Sequence, residues 1–412
     1  MTKLDNHYQL YINGDWRPGS KGQVMQSDNP ANNKPWASFD CAGQDDIDLA
    51  VQSARSVLNK GFWKTCTATD RGKLLYKLAD LIEDNAEKIG TVETHDSGKL
   101  LAETVSQTKY VADYYRYFAG MADKVEGATL PIDKKDMHVY TTHQPIGVVA
   151  AIVPWNAQMF LTATKLAPAL AAGCSVILKA SEIAPCALFE LAKLMEKAGF
   201  PKGVVSVITG DAENCSAPLT SHPDIDRIAF TGGTETAKKI IQNSSNNFAA
   251  TNLELGGKSP LIIFEDADLE SAANGIIAGN FGASGQSCVA GSRVIVHQSI
   301  AKDLLKLIQE KSQSIQVGNP LKQETNLGPL CTPKQIEIIE ITIKKSVEQG
   351  GEIIFGGKKL KAKEIILSQL LFIAPLTILK LSKLRCLDQL FLLSNLKRKS
   401  RQLRSRMIQN MD

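Results

Sequence analysis

The sequence predicts an α/β protein built on a doubly wound parallel sheet, and three observations indicate this class. Between residues 145 and 255, short apolar strands alternate strictly with helices, an order that places parallel strands side by side through right-handed crossovers. The first of these strands, at 147–154, is apolar without interruption, as expected of a strand buried on both faces. The preceding segments instead repeat their apolar residues at helical spacing.

The first 144 residues contain the elements that precede this sheet. Residues 1–40 are rich in Gly, Pro and Asn around short apolar pieces, which predicts a strand pair with loops. Apolar residues at helical spacing predict helices over 45–58, 70–90 and 100–122. Two alternating runs at 124–144 surround the charged tetrapeptide DKKD and predict a β-hairpin.

The sheet segment itself predicts five strands and their ligand-binding edge. We place the strands at 147–154, 175–179, 204–209, 227–231 and 251–255, with helices between them. Open parallel sheets bind ligands at the carboxyl ends of their strands. This rule selects the positions at the end of each strand, at 154–156, 179–182, 210, 232–235 and 254–258.

Two of these strand ends have side chains or backbone suited to a nucleotide. Gly232 and Gly233 lie between a strand and a helix, where a ligand can approach the backbone and the helix N-terminus can hold an anion. Lys179 can meet phosphate or ribose oxygens, and Glu182 can accept hydrogen bonds from ribose hydroxyls. A tight turn and a solvated charge pair explain the same residues equally well, and the sequence has no GxGxxG motif.

Cys288 lies in a run of small residues, GNFGASGQSCVAG at 279–291. A structural cysteine usually packs among larger apolar side chains, whereas small neighbours leave room for a molecule to reach the sulfur. The chain has eight cysteines with neither metal-ligand spacing nor a CxxC pair, so we expect reduced thiols in a cytoplasmic protein and no metal.

The charge of the chain is unevenly distributed. The 412 residues carry a net charge of +4, but residues 358–412 hold 13 Lys and Arg against 3 acidic residues, so residues 1–357 carry −6. An acidic body gives no reason to expect nucleic acid as a partner. The leucine-rich stretch at 367–396 is interrupted by Lys, Ser, Arg and Pro, and we therefore expect no membrane-spanning helix.

Five motifs occur in one order: VPWN at 153–156, KASE at 179–182, FTGGTE at 230–235, LELGGKSP at 253–260 and SGQSC at 284–288. In these motifs the sequence resembles the aldehyde dehydrogenase superfamily, over about residues 8–361. The resemblance implies a Rossmann-type NAD-binding domain at 1–123 and 146–254, an oligomerisation hairpin at 124–145 and an incomplete catalytic domain at 255–361. It also implies a homo-oligomer, either a dimer or a tetramer, for intact members of the family, with assembly impaired in this truncated chain.

The resemblance also implies roles for individual residues. Cys288 would attack a small-molecule aldehyde, Asn156 and the backbone N–H of Cys288 would hold the oxyanion, and Glu254 would be the general base. Lys179 belongs to both the catalytic and the cofactor set. NAD is favoured over NADP because the Glu182 carboxylate would repel a 2′-phosphate. The implied cofactor-binding residues are Val153, Pro154, Trp155, Asn156, Lys179, Ser181, Glu182, Gly210, Phe230, Gly232, Gly233, Glu235, Leu255 and Gly256.

The last fifty residues depart from the family pattern. No glycine follows residue 357, and the family's C-terminal motifs, such as Gly-Asn-Tyr-Phe-Glu-Pro-Thr, are absent. Reverse translation of the segment at 363–371 in a shifted frame can produce that motif. We therefore predict that 362–412 is a frameshifted tail of a truncated chain.

Three alternative functions stay open at this stage. The chain could be a catalytically inactive truncated product, or a binding protein with a basic tail. A CoA-acylating aldehyde dehydrogenase is a third alternative, against which Glu254 argues, because such enzymes typically lack that base.

Overall fold

The alternating strands of the sequence form a seven-stranded sheet in the computed structural model, which describes residues 4–357, 370–373 and 390–396. Numbered in chain order, the strands are β1 (His7–Tyr8), β2 (Leu10–Ile12), β3 (Asp15–Arg17), β4 (Val24–Asn29), β5 (Lys34–Asp40), β6 (Thr129–Leu130), β7 (Val139–Tyr140), β8 (Val148–Ile152), β9 (Ser175–Lys179), β10 (Val205–Ile208), β11 (Arg227–Gly232), β12 (Ala250–Leu255), β13 (Pro260–Ile263), β14 (Arg293–His297), β15 (Glu352–Gly356), β16 (Leu370–Ile373) and β17 (Leu390–Leu396).

The α-helices are numbered in the same way. They are α1 (Gln44–Asn59), α2 (Phe62–Thr65), α3 (Ala68–Asp84), α4 (Ala86–Ser97), α5 (Leu101–Met121), α6 (Gln158–Ala172), α7 (Cys186–Ala198), α8 (Ala217–Ser221), α9 (Thr234–Ser244), α10 (Leu269–Phe281), α11 (Ala301–Gln313) and α12 (Pro333–Glu348). A π-helical turn at Ala212–Ser216 precedes α8, and a 3-10 turn at Gly282–Gly285 follows α10.

The described chain divides into two compact units, of which the first contains the seven-stranded sheet. This unit consists of Met1–Asp28, Pro35–Asp96 and Thr104–Glu254. Its strand order is β12-β11-β8-β9-β10-β2-β3, and β11, β8, β9 and β10 run parallel to one another. The doubly wound parallel sheet predicted from the alternating pattern is therefore confirmed. Ile152 pairs with Lys179, so the ends of β8 and β9 lie level with each other.

Burial explains why the central strands are apolar throughout. Every residue of β8, β9 and β10 is buried, because helices pack on the sheet. Tyr8 stacks on Phe189 of α7, with ring centroids 5.8 Å apart. Burying one such large apolar side chain contributes about 1.5–3 kcal/mol, so the sheet and its helices form a rigid support for the loops at the strand ends.

Three details differ from the sequence predictions. The helix predicted at 70–90 is two helices, α3 and α4, separated at Asn85, whose side-chain Nδ2 donates to the Leu81 carbonyl at 2.8 Å. Residues 1–40 form five strands rather than a pair, because β1 pairs in parallel with β5 while β2 and β3 extend the large sheet. The hairpin forms as an antiparallel pair, β6 and β7, but only two residues of each strand are paired.

The second unit has its own sheet and core. It consists of Asn29–Lys34, Ser97–Glu103 and Leu255–Asp412, and its sheet has the order β13-β14-β17-β16-β15. Strands β13, β14, β17 and β16 are parallel, and β15 is antiparallel to β16. Strands β16 and β17 belong to the segment predicted to be out of frame; the rest of 362–412 lies outside the described residues.

Candidate functional site

A cavity of about 270 Å³ lies at the carboxyl ends of β8, β9 and β11, in the first unit. It is the place that the strand-end rule selects for a ligand. Nine of the predicted cofactor residues line it: Val153, Pro154, Trp155, Lys179, Ser181, Glu182, Phe230, Gly232 and Gly233. These residues are distant in sequence, and the parallel register of the three strands brings them together.

A buried lysine and a half-exposed glutamate form an ion pair on one wall of this cavity. Lys179, the last residue of β9, is buried, and its Nζ lies 2.8 Å from Oε2 of Glu182. The turn that carries Glu182 is fixed to the sheet, since the backbone N–H of Ala180 donates to Ile208 at 2.8 Å. Thr209 also donates its hydroxyl to the Ala180 carbonyl. The wall thus presents an ammonium group and a carboxylate on a fixed backbone, a pair that suits ribose hydroxyls and phosphate oxygens.

The glycine pair forms the opposite wall, and its two members differ in their surroundings. A Cβ atom at Gly232 would lie 2.4 Å from the Phe230 ring, so a larger residue here would displace that ring. A Cβ atom at Gly233 would meet no atom within 4 Å. Gly233 is also the N-cap of α9 and has no side chain to cover the first N–H groups of that helix. The space beside Gly233 is therefore open at the start of α9, where a helix N-terminus favours an anionic ligand.

Five predicted cofactor residues do not line the cavity. Gly210 has φ +152°, and a Cβ there would lie 2.9 Å from Cβ of Cys215, so it shapes the turn after β10. Glu235 is exposed and pairs with Lys238 at 2.9 Å. Asn156 is buried between β8 and α6. Leu255 and Gly256 are half-buried and follow Glu254, which is exposed on the edge strand β12.

Cys288 lies in the second unit, in a loop with unusual backbone conformation. Ala283 and Ser284 have φ values of +54° and +56°, in the left-handed region, and Gly285 has +75°. Left-handed conformations at non-glycine residues cost on the order of 1–3 kcal/mol and cluster at functional sites. Cys288 itself is half-buried, in a turn closed by a hydrogen bond from Ala290 N–H to the Ser287 carbonyl at 3.3 Å.

The loop is held by Gln286, which the sequence analysis did not single out. Gln286 is buried, and its Oε1 accepts the backbone N–H of Cys331 at 2.9 Å. Its backbone N–H donates to the Ala283 carbonyl at 3.1 Å. The burial of Gln286, two residues before Cys288, identifies it as a support of the loop. The sequence alone does not show which polar residues are buried.

The other described cysteines differ from Cys288 in exposure. Cys41, Cys174, Cys186, Cys215 and Cys331 are buried, and only Cys66 shares the half-buried state of Cys288 among described cysteines. Burial raises the pKa of the Cys41 thiol to about 11 and that of Cys215 to about 12. These thiols are neutral at physiological pH and carry no reactive sulfur, because the thiolate is the nucleophilic form.

Lys165 is a second residue that the sequence analysis missed. It is a buried lysine on α6, and its Nζ donates to the Thr231 hydroxyl beside Gly232. The single charged residue of a largely apolar helix is the sequence signal that could have identified it.

The described residues contain no cluster of three or more His, Cys, Asp or Glu side chains that could hold a metal ion. Among the helices in this part of the chain, none is long and apolar enough to span a membrane.

Comparisons with known proteins agree on one family. A family model described as the aldehyde dehydrogenase family matches residues 16–383. A (Z)-2-((N-methylformamido)methylene)-5-hydroxybutyrolactone dehydrogenase of Acinetobacter baylyi is 52% identical over 351 residues, covering 85% of this chain and 72% of that protein. A betaine aldehyde dehydrogenase of Bacillus subtilis is 36% identical, covering 86% and 73%. The NAD+ complex of an aldehyde dehydrogenase from Bacillus cereus superposes with a TM-score of 0.94 at 35% identity, covering 97% and 81%.

Proposed function

The chain belongs to the aldehyde dehydrogenase family, and from this premise we propose that it oxidises an aldehyde to a carboxylic acid with NAD+. The observation that carries the proposal is the strand-end cavity with its Lys179–Glu182 pair and its open helix N-terminus. These groups fit a dinucleotide: a carboxylate for ribose hydroxyls, and an ammonium group and the N-terminus of α9 for its phosphates. When bound, NAD+ supplies the acceptor for a hydride.

We assign the covalent steps to Cys288. Its thiolate adds to the aldehyde carbon, forming a C–S bond, while the carbonyl electron pair moves to oxygen. The Asn156 amide and the Cys288 backbone N–H are assigned to this oxyanion, and one such donor contributes about 2.7–4 kcal/mol. Loss of hydride from the carbon leaves a thioester on the sulfur.

Hydrolysis of the thioester is assigned to Glu254. This carboxylate takes a proton from water as the oxygen attacks the thioester carbon. The C–S bond then breaks, the thiolate leaves and the carboxylic acid is released. The exposure of Glu254 on an edge strand leaves the side chain accessible to water.

Glu182 supports NAD+ over NADP+ as the cofactor. Its carboxylate sits on the cavity wall 2.8 Å from Lys179. A 2′-phosphate placed against this wall would meet a like charge, whereas a ribose hydroxyl would find an acceptor.

The Acinetobacter baylyi relative suggests a substrate class. That dehydrogenase is named for a substituted 5-hydroxybutyrolactone, in which the hydroxyl and the ring oxygen share one carbon. Such a ring opens to an aldehyde with a carboxylate in the same molecule. We therefore propose that this chain accepts aldehydes whose carbonyl carbon is in a 1,4-relation to a carboxylate carbon. Comparing NADH formation with such aldehydes and with simple alkyl aldehydes tests this.

The hairpin supports the proposal of a homo-oligomer, a dimer or a tetramer. Its apolar side chains Val125, Leu130, Met137 and Tyr140 are all exposed within the described chain. Exposed apolar groups of this kind mark interaction surfaces. Light scattering on the purified chain measures the oligomer, and a monomer at all concentrations would contradict the proposal.

The second candidate is an inactive product of the same family. The observation that favours it is the glycine-free, basic segment after residue 357, although the family match extends to residue 383. The test is NADH formation followed by absorbance, with the 412-residue chain and with a frame-restored version. Aldehyde-dependent NADH from both supports the dehydrogenase; NADH from the restored chain alone supports the inactive product.

A further inference from the structure

A buried carboxylate in the first unit contacts three donors from three other elements. Asp96, near the end of α4, is fully buried. Its Oδ1 accepts the Ser27 hydroxyl at 2.6 Å and the Trp36 indole N–H at 3.1 Å. Its Oδ2 accepts the backbone N–H of Cys186 at 2.7 Å. The proposed chemistry uses none of these contacts, yet burying a carboxylate is costly unless it is paired or well bonded.

The contact with Cys186 links this carboxylate to the cofactor wall. Cys186 is the first residue of α7, and the preceding Pro185 has no side-chain cap to offer the helix. Asp96 therefore supplies the acceptor that a local N-cap would otherwise provide. The segment between β9 and α7 is only six residues long and includes Ser181 and Glu182. Its first residue is fixed by the sheet at Ala180, and its far end is fixed by Asp96.

We infer that Asp96 is a positioning residue for the cofactor: by holding the start of α7, it sets the place of the Glu182 carboxylate that receives the ribose. The inference rests on the proposed use of NAD+. It predicts that the ionised carboxylate holds the helix start better than the neutral acid, because charge-assisted hydrogen bonds are the stronger ones. Cofactor affinity therefore follows the ionisation of Asp96.

Burial raises the pKa of Asp96 to about 6, and its bonds to Ser27, Cys186 and Trp36 oppose that rise. The titratable groups that face it are Cys186 on α7, Tyr8 on β1 and, through those two, Glu190. Burial raises the pKa of Cys186 and of Tyr8, so both stay neutral while Asp96 titrates. On α4 itself, His95 stacks on Trp36, and burial lowers its pKa from 6.5.

The pH dependence of stability and of affinity should have opposite signs. The pKa of Asp96 is higher in the folded chain than the ordinary 3.8, so the folded chain binds more protons between pH 4 and 6. This group's contribution to stability is therefore present at low pH and lost as pH rises through about 6. NAD+ affinity instead falls as pH drops through the same range. A purely structural role would move stability alone.

The test measures NAD+ dissociation constants of the full chain by calorimetry, from pH 5 to 8. Asp96→Asn keeps the shape of the side chain and removes its negative charge. It also turns an amide NH₂ group toward groups that donate hydrogen bonds. We expect it to bind NAD+ roughly 5- to 20-fold more weakly at pH 7.5, the effect of losing a helix cap. We also expect this weak affinity to be independent of pH between 5 and 7, unlike that of the unmodified chain.

Two further variants separate positioning from folding. Ser27→Ala keeps the charge but removes one donor, so it raises the pKa of Asp96 and shifts the midpoint of the affinity profile to higher pH. Glu190→Gln removes a different buried carboxylate, which lies on α7 and bonds Lys88, Lys193 and Tyr8. We expect Glu190→Gln to lower the melting temperature and leave NAD+ affinity at pH 7.5 unchanged.

The contradicting outcomes are distinct. If Asp96→Asn leaves NAD+ affinity and its pH profile unchanged, the inference is overturned. If Asp96→Asn does not fold, the inference is overturned when Ser27→Ala leaves the midpoint of the affinity profile unshifted. Equal losses of affinity in Glu190→Gln and Asp96→Asn would reduce Asp96 to a structural role. Absence of NAD+ binding by the unmodified chain would contradict the proposed function and, with it, this inference.

Discussion

The strand-end cavity and the loop around Cys288 reach their geometry by different means. The cavity is built at the ends of parallel strands, where the pairing of Ile152 with Lys179 fixes both walls through the register of the sheet. The loop around Cys288 has no such ladder; it depends on left-handed residues and on the bonds of one buried glutamine. Substitutions in the cavity should therefore have graded effects on affinity, whereas substitutions in the loop should affect turnover.

The largest expected effect is the loss of the nucleophile. Cys288→Ser should lower kcat for aldehyde oxidation by about 10⁴-fold or more, because a serine hydroxyl without an adjacent base is a weak nucleophile. Its NAD+ dissociation constant, measured by calorimetry, should not change. The matched control is Cys66→Ser, since Cys66 is the other half-buried cysteine of the described chain. Retained turnover in Cys288→Ser would end the assignment.

The next effect concerns the support of the loop. Gln286→Met keeps the side-chain volume but removes the acceptor for the Cys331 N–H. We expect kcat to fall by about 10²-fold, since a displacement of about 1 Å at a reacting group has that cost. NAD+ affinity should stay constant, which places the defect outside the cavity. A fall in affinity with constant kcat would contradict the distinction drawn between the two regions.

A third test compares the two neighbouring glycines of the cavity. Gly232→Ala places a methyl group 2.4 Å from the Phe230 ring, so the wall must shift. We expect roughly tenfold weaker NAD+ binding, equivalent to about 1.4 kcal/mol, within the 1–3 kcal/mol typical of overpacking. Gly233→Ala enters open space, adds no acceptor for the first N–H groups of α9, and should change affinity by less than about twofold. Equal effects of the two substitutions would show that the wall is not rigid.

The last expected effect, similar in size to that of Gly232→Ala, concerns cofactor choice. Glu182→Gln removes the negative charge and keeps the side-chain length. We expect the preference for NAD+ over NADP+, measured as the ratio of kcat/KM values, to fall by about tenfold. A tenfold change corresponds to about 1.4 kcal/mol of interaction energy. Lys179 remains in place as a cation in this variant. An unchanged ratio would mean that Glu182 does not face the 2′-position.

The sequence predicted the cavity better than the loop, for a physical reason. Uninterrupted apolar strands predict a parallel sheet, and a parallel sheet predicts that Lys179, Phe230 and Gly232 meet at one edge. No sequence pattern predicts the left-handed conformation of Ala283 or the burial of Gln286, because tertiary contacts impose both. The same holds for Asp96, whose bond to Cys186 spans 90 residues. Local spacing also missed the break at Asn85, where a side chain bonds the backbone of the preceding turn.

The most direct test of the central claim is to trap the covalent intermediate. Glu254→Gln should slow hydrolysis, so that incubation with an aldehyde and NAD+ leaves an acyl group on the enzyme. Peptide mass spectrometry should then find the mass of that acyl group on the peptide that contains Cys288, and only when both NAD+ and aldehyde are present. An acyl group on another cysteine, or none on a variant that still forms NADH, would contradict the account.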